Sequence, residues 1–144
     1  MAEQTGLSGS CLCGAVKVSA VARKPEVAAC HCDMCRRWSA GPFMEVTGEE
    51  VHFEGAEHIG VYRSSEWAER GFCRQCGSNL FYHILGADDY QLSMGLLNDT
   101  SDLKFALQVF TDSKPAVYEF ANRTEMMTAA EVIAAFAPPP EDGS

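Results

Sequence analysis

The chain has 144 residues, 47% apolar and 22% charged, the balance of one ordinary globular domain. Its net charge of -9 argues against nonspecific binding to nucleic acid or to an anionic membrane. It holds no run of about 18 apolar residues that could span a bilayer, and Met1–Thr5 has no basic region or apolar segment of a secretory leader, so a reducing cytoplasm is the expected setting.

Residues 1–9 are small and polar and are expected to fray. Cys11-Leu12-Cys13-Gly14 follows, with Gly14 free to take a positive φ. Val16, Val18 and Ala20 alternate with Lys17 and Ser19, a strand with one buried face. Arg23-Lys24-Pro25 is a turn, and Val27-Ala28-Ala29 runs extended into Cys30. A turn across Asp33-Met34 is expected to carry Cys35 back toward Cys30 and Cys32. After Arg36-Arg37-Trp38 and a Ser39–Pro42 loop, Phe43–Val46 and Val51–Glu54 predict two strands bracketed by Gly48 and Gly55. Further strands are expected over His58–Arg63, Trp67–Phe72 and Ser78–Ile84, with the knuckle Cys73-Arg74-Gln75-Cys76-Gly77 between the last two. Tyr90, Leu92, Met94 and Leu96 keep strict period two and predict a strand over the whole stretch. Phe105, Leu107 and Val109 predict a weaker one, and Asp112-Ser113-Lys114-Pro115 turns again. Thr128-Ala129-Ala130-Glu131 is a capping box opening the one helix expected, with Val132, Ile133 and Phe136 on its stripe. Ala137-Pro138-Pro139-Pro140 should end it before an acidic, disordered tail. No repeat or second domain is evident; a single domain over 1–144 is expected, ordered over about 8–136.

The seven cysteines sort into C-x-C (Cys11, Cys13), C-x-C-x-x-C (Cys30, Cys32, Cys35) and C-x-x-C (Cys73, Cys76). A C-x-C joined to a distant C-x-x-C makes a closed four-thiolate zinc site of the structural kind. Four buried thiols, or two disulfides, is the alternative. The remaining three sulfurs can converge as a tripod, because residues i and i+2 of an extended segment point to one side. Three protein ligands and one open position is the arrangement of catalytic zinc. A second structural site completed by a histidine, or a redox-active thiol, are the competing readings. His31 lies between two ligands and should point away from their metal, while His52, His58 and His83 have no ligand spacing. Arg36 and Arg37 stand out beside the tripod in an acidic chain, either as solvated surface charges, the usual case, or as partners suited to a substrate carboxylate. Trp38 and Phe43 are candidates for a pocket wall or for core packing.

The three-part pattern C-x-C-G, C-H-C-x-x-C-R and C-x-x-C-G, with the late segment Phe110-Thr111-Asp112-Ser113-Lys114-Pro115, resembles the glutathione-dependent formaldehyde-activating enzymes and the related centromere protein V-like proteins over about residues 8–120. The resemblance implies a mainly β, Mss4-like (β-tent) fold of mostly antiparallel sheets clipped by zinc. It implies structural zinc on Cys11, Cys13, Cys73 and Cys76, and catalytic zinc on Cys30, Cys32 and Cys35, two ions per chain. The implied activity is that of a carbon–sulfur lyase making S-hydroxymethylglutathione. Arg36, Arg37 and Trp38 are the expected substrate contacts. The expected partners are small molecules, glutathione or another thiol and a small aldehyde, with room for a homo-oligomer. Family members often carry a tryptophan where Val117 precedes Tyr118 here. A non-catalytic two-zinc binding module, or a thiol redox or metal-buffering protein, are the alternatives.

Overall fold

Half-buried strands should alternate apolar and polar residues, and that alternation recurs along most of this chain. The computed structural model describes residues 4–136, with ten strands and two helices among them. Strands β1 (Thr5–Ser10) and β2 (Lys17–Ala22) form an antiparallel hairpin. β3 (Glu26–Cys30) leads into helix α1 (Asp33–Ser39), and β4 (Phe43–Glu54) returns beside β3. β5 (Ile59–Arg63), β6 (Ala68–Cys73), β7 (Asn79–Ile84) and β8 (Tyr90–Ser93) make an antiparallel meander. β9 (Lys104–Val109), β10 (Glu125–Met127) and helix α2 (Ala129–Phe136) complete the chain.

The strand order is β10-β9-β3-β4-β8-β7-β6-β5, with the β1–β2 hairpin attached to the far half of β4. The fold is mainly β, as expected. Pairing is antiparallel except at β3–β9 and β9–β10, which are parallel. None of the described helices is long and apolar enough to cross a membrane.

The two faces of the main sheet have different work. On one, Val27, Val46, Phe81 and Leu92 pack against Leu7, Val18 and Ala20 of the hairpin layer. This is the principal core; Val46 and Leu92 are fully buried, each worth roughly 1.5–3 kcal/mol of hydrophobic stabilisation. The other face carries Cys30, Phe43, Tyr82, Leu107 and Val109 beneath Cys35 and Trp38 of α1 and Val132 of α2.

Several expectations are corrected. Of the stretch 1–9 expected to fray, residues 1–3 lie outside the described residues, while Thr5–Ser10 is strand β1, held by a full ladder to β2 and burying Leu7. The two strands expected over 43–46 and 51–54 are one, running through Gly48. That residue stays inside the strand because a Cβ there would stand 2.7 Å from Leu92 Cδ1, so glycine lets two layers meet. The period-two strand stops at Ser93; Met94–Leu96 is a 3₁₀ turn that still buries Leu96, which is why the alternation persisted beyond the strand. The Asp33-Met34 turn opens a helix of seven residues, so α2 is not alone. The capping box is present: Thr128 N–H donates to Glu131 Oε1 at 2.8 Å, and Glu131 N–H to Thr128 Oγ1 at 3.3 Å. On the expected stripe, Val132 packs inward, but Ile133 is exposed. The proline stop and acidic tail lie outside the described residues.

Candidate metal centre

Two groups of thiols converge. The sulfurs of Cys11, Cys13, Cys73 and Cys76 lie within 4.8 Å of one another, and so do those of Cys30, Cys32 and Cys35. Sulfurs bound tetrahedrally about 2.3 Å from one zinc ion stand about 3.8 Å apart. Cys11 Sγ to Cys13 Sγ is 3.7 Å, and Cys13 Sγ to Cys73 Sγ is 3.8 Å. The donor set therefore fits zinc in size and in chemistry.

The four-cysteine group is built from two tight turns. Gly14 and Gly77 close them, with φ of +82° and +79° that a side chain would resist. Cys11 N–H donates to the Val16 carbonyl, Gly77 N–H to that of Cys73, and Leu12 N–H to Ser78 Oγ across the two turns. Cys11 and Cys73 are buried, the latter completely. The group thus joins the β1–β2 turn to the end of β6.

The tripod sits where β3 ends and α1 begins. Cys32 caps the helix, its Sγ accepting from Cys35 N–H at 3.3 Å. Sulfur at the N-cap turns the chain sharply, and one helical turn brings Cys35 back to Cys30. Hydrogen bonds from the two neighbouring thiols hold the Cys32 thiol well below its usual pKa, while the bond with Cys32 pushes Cys30 far up.

His31 is fully buried and turned away from the sulfurs, as expected. Its Nε2 is 2.8 Å from Gln108 Oε1 and its Nδ1 is 2.8 Å from Tyr118 Oη. Burial lowers its pKa, so the ring is neutral. Gln108 Oε1 can only accept; Nε2 therefore carries the proton and Nδ1 accepts from the Tyr118 hydroxyl. Both nitrogens are occupied, which ties the segment around Tyr118 to the tripod loop. Val117, at the departure from the family pattern, is 88% exposed and packs nothing there.

Arg36 is turned back onto the loop: Nε donates to the His31 carbonyl at 2.9 Å and Nη2 pairs with Asp33. Arg37 is exposed. Trp38 stands edge-on to Phe43, with centroids 5.2 Å apart, and its carbonyl accepts from Asn79 Nδ2 at 2.8 Å, fixing α1 to β7.

Two charged residues of the site escaped the sequence reading. Arg70 on β6 is only 3% exposed, over the rings of Trp38 and Tyr82 and against Cys35. Glu45 on β4 lies on the Cys30 face, and burial, opposed by Arg70, pushes its carboxyl up to about 8. The signal for both was parity: Arg70 alternates with buried Ala68, and Glu45 with buried Phe43, so each puts a charge where the pattern calls for an apolar side chain.

The glutathione-dependent formaldehyde-activating enzyme family model matches residues 6–113. The chain is similar to an uncharacterized lyase of Schizosaccharomyces pombe, 37% identical over 127 residues, which are 87% of this chain and 93% of that protein. It is 32% identical over 85 residues to a protein of Halomonas elongata named "Putative glutathione-dependent formaldehyde-activating enzyme", covering 52% of this chain and 54% of the relative. A crystal structure of a Rhodobacter sphaeroides protein shares the fold, with a TM-score of 0.56 and 22% identity over 69% of this chain and 99% of that one.

Proposed function

The chain belongs to the glutathione-dependent formaldehyde-activating enzyme family, and from that premise we propose that it is a zinc-dependent carbon–sulfur lyase joining and splitting S-hydroxymethylglutathione. In this reading Cys11, Cys13, Cys73 and Cys76 hold structural zinc, and Cys30, Cys32 and Cys35 hold catalytic zinc. One observation carries the reading: among the described residues the tripod gathers three thiols and no fourth metal-binding side chain, and His31 has both ring nitrogens engaged elsewhere. Zinc held by Cys30, Cys32 and Cys35 would leave an open position and would supply Lewis acidity there, favouring the thiolate of a substrate thiol or polarising an aldehyde oxygen.

The chain's own residues then orient and move protons. Adduct formation makes one S–C bond, breaks the C=O π bond, and shifts one proton from sulfur to oxygen. Glu45, with its carboxyl raised to about 8, holds or releases that proton at neutral pH. Trp38 walls the reacting groups, and holding thiol and aldehyde together makes their reaction effectively unimolecular.

Arg36 and Arg37 meet the two carboxylates of glutathione. Arg37→Ala should weaken glutathione binding about tenfold, the weight of one charge-assisted hydrogen bond, and leave zinc content unchanged. Arg36→Ala also loses the bond to the His31 carbonyl, so it should lower zinc retention as well. Calorimetry with metal analysis checks both; unaltered affinity in both variants removes these arginines from the substrate site.

The open position itself is tested by cobalt substitution. Cobalt in the tripod should change its spectrum when glutathione is added, as sulfur replaces oxygen, while cobalt in the four-cysteine site stays silent. The change should grow with pH, because the incoming thiol must lose its proton. A spectrum indifferent to glutathione at every pH would leave a two-metal binding module and end the lyase assignment.

A further inference from the structure

We propose that Arg70 is a positioning residue for the tripod, a buried cation that grips Cys35 and sets the electron density of its sulfur. The inference rests on the reading of Cys30, Cys32 and Cys35 as metal ligands.

The observations are independent of that reading. Arg70 is 3% exposed, unusual for an arginine. Its Nη1 and Nη2 lie 3.6 and 3.7 Å from Cys35 Sγ, so both arms of the guanidinium fork aim at one sulfur. Its carbon is 5.1 Å from the Trp38 ring centre and 4.8 Å from that of Tyr82, so the cation lies over two aromatic rings. Arg70 Nε finds no partner among the described residues.

A buried cation needs a counter-charge. Three thiolates around a divalent ion would carry a net -1 directly at the fork and would supply it together with the Glu45 carboxyl that also faces Arg70. The same N–H···S bonds draw electron density from Cys35, so that sulfur donates less to the ion it binds. The ion stays more electron-poor and acidifies a fourth ligand more strongly. Lysine could keep the charge but not the planar fork.

Two variants test this on the full chain. Arg70→Met removes charge and donors at similar length; Arg70→Lys keeps the charge and loses the fork. With cobalt as the probe, Arg70→Met should bind the tripod ion about 10–100-fold more weakly in chelator competition. Its thiolate-to-cobalt charge-transfer band should move to longer wavelength, because the sulfur it leaves is richer in electrons. The pH midpoint of glutathione binding to that cobalt should rise. Arg70→Lys should recover part of the affinity and little of the band position. The four-cysteine site, still loaded with cobalt, reports that each variant is folded. If Arg70→Met does not fold, the band position in Arg70→Lys decides. A folded variant of either kind with wild-type affinity and wild-type band overturns the proposal. A wild-type spectrum that ignores glutathione, with the band still shifted in the variants, would sink the lyase reading and leave the role of Arg70 standing.

Discussion

Cys73→Ser is expected to unfold the protein. Cys73 is completely buried at the end of β6, with its sulfur 3.8 Å from that of Cys13, a residue sixty positions earlier. The four-cysteine group is where the hairpin layer is fastened to the meander, beyond the apolar core that also joins them. Metal binding to such a set contributes on the order of 10 kcal/mol or more to folding. The whole net stability of a domain is about 5–15 kcal/mol, so losing one ligand consumes most of it. Serine offers a weak oxygen donor in place of a thiolate and leaves a polar group in the core. Circular dichroism should show no cooperative melt, or one lowered by tens of degrees, and gel filtration should show aggregate. A variant that melts like wild type would mean that the four sulfurs hold no structural ion.

Cys32→Ser should behave in the opposite way: folded, short of one metal ion, and inactive. Cys32 is the N-cap of α1, where its sulfur accepts from Cys35 N–H. Serine is among the best N-cap residues, so the helix keeps its cap although the tripod loses a thiolate. The sheet face beneath retains Phe43, Val109 and Tyr82. Metal analysis should find two zinc ions per chain in wild type and one in this variant, with melting temperatures within a few degrees. Equal unfolding of the Cys32 and Cys73 variants would make the tripod structural.

The cysteine partition was readable because metal ligation imposes spacing: C-x-C and C-x-x-C survive any surrounding fold. The strands with one wet face were readable for the same reason, a period imposed by burial. The capping box at Thr128 needed only local hydrogen bonds. What escaped was set by tertiary contact. α1 is too short to show a helical period, and its cap is a cysteine, a residue reserved in the sequence reading for metal. β10 is three residues long and pairs in parallel with β9, a partner nothing local announces. β4 crosses Gly48 unbroken because Leu92 and Ala20 fill the space a side chain would take. Arg70 lies in the strand expected over Trp67–Phe72, at the same parity as buried Ala68, but the rings it meets, Trp38 of α1 and Tyr82 of β7, come from elements that no local pattern joins to it.

The central claim is that the tripod, loaded with zinc, accelerates exchange between glutathione and its formaldehyde adduct. Exchange NMR on an equilibrium mixture of glutathione, formaldehyde and S-hydroxymethylglutathione measures this directly. With wild-type protein holding two zinc ions, the exchange rate should rise in proportion to protein concentration and return to the uncatalysed rate with the folded Cys32→Ser variant. Wild-type protein that carries both ions and leaves the exchange at its uncatalysed rate, or a Cys32→Ser variant that accelerates it equally, would contradict the account.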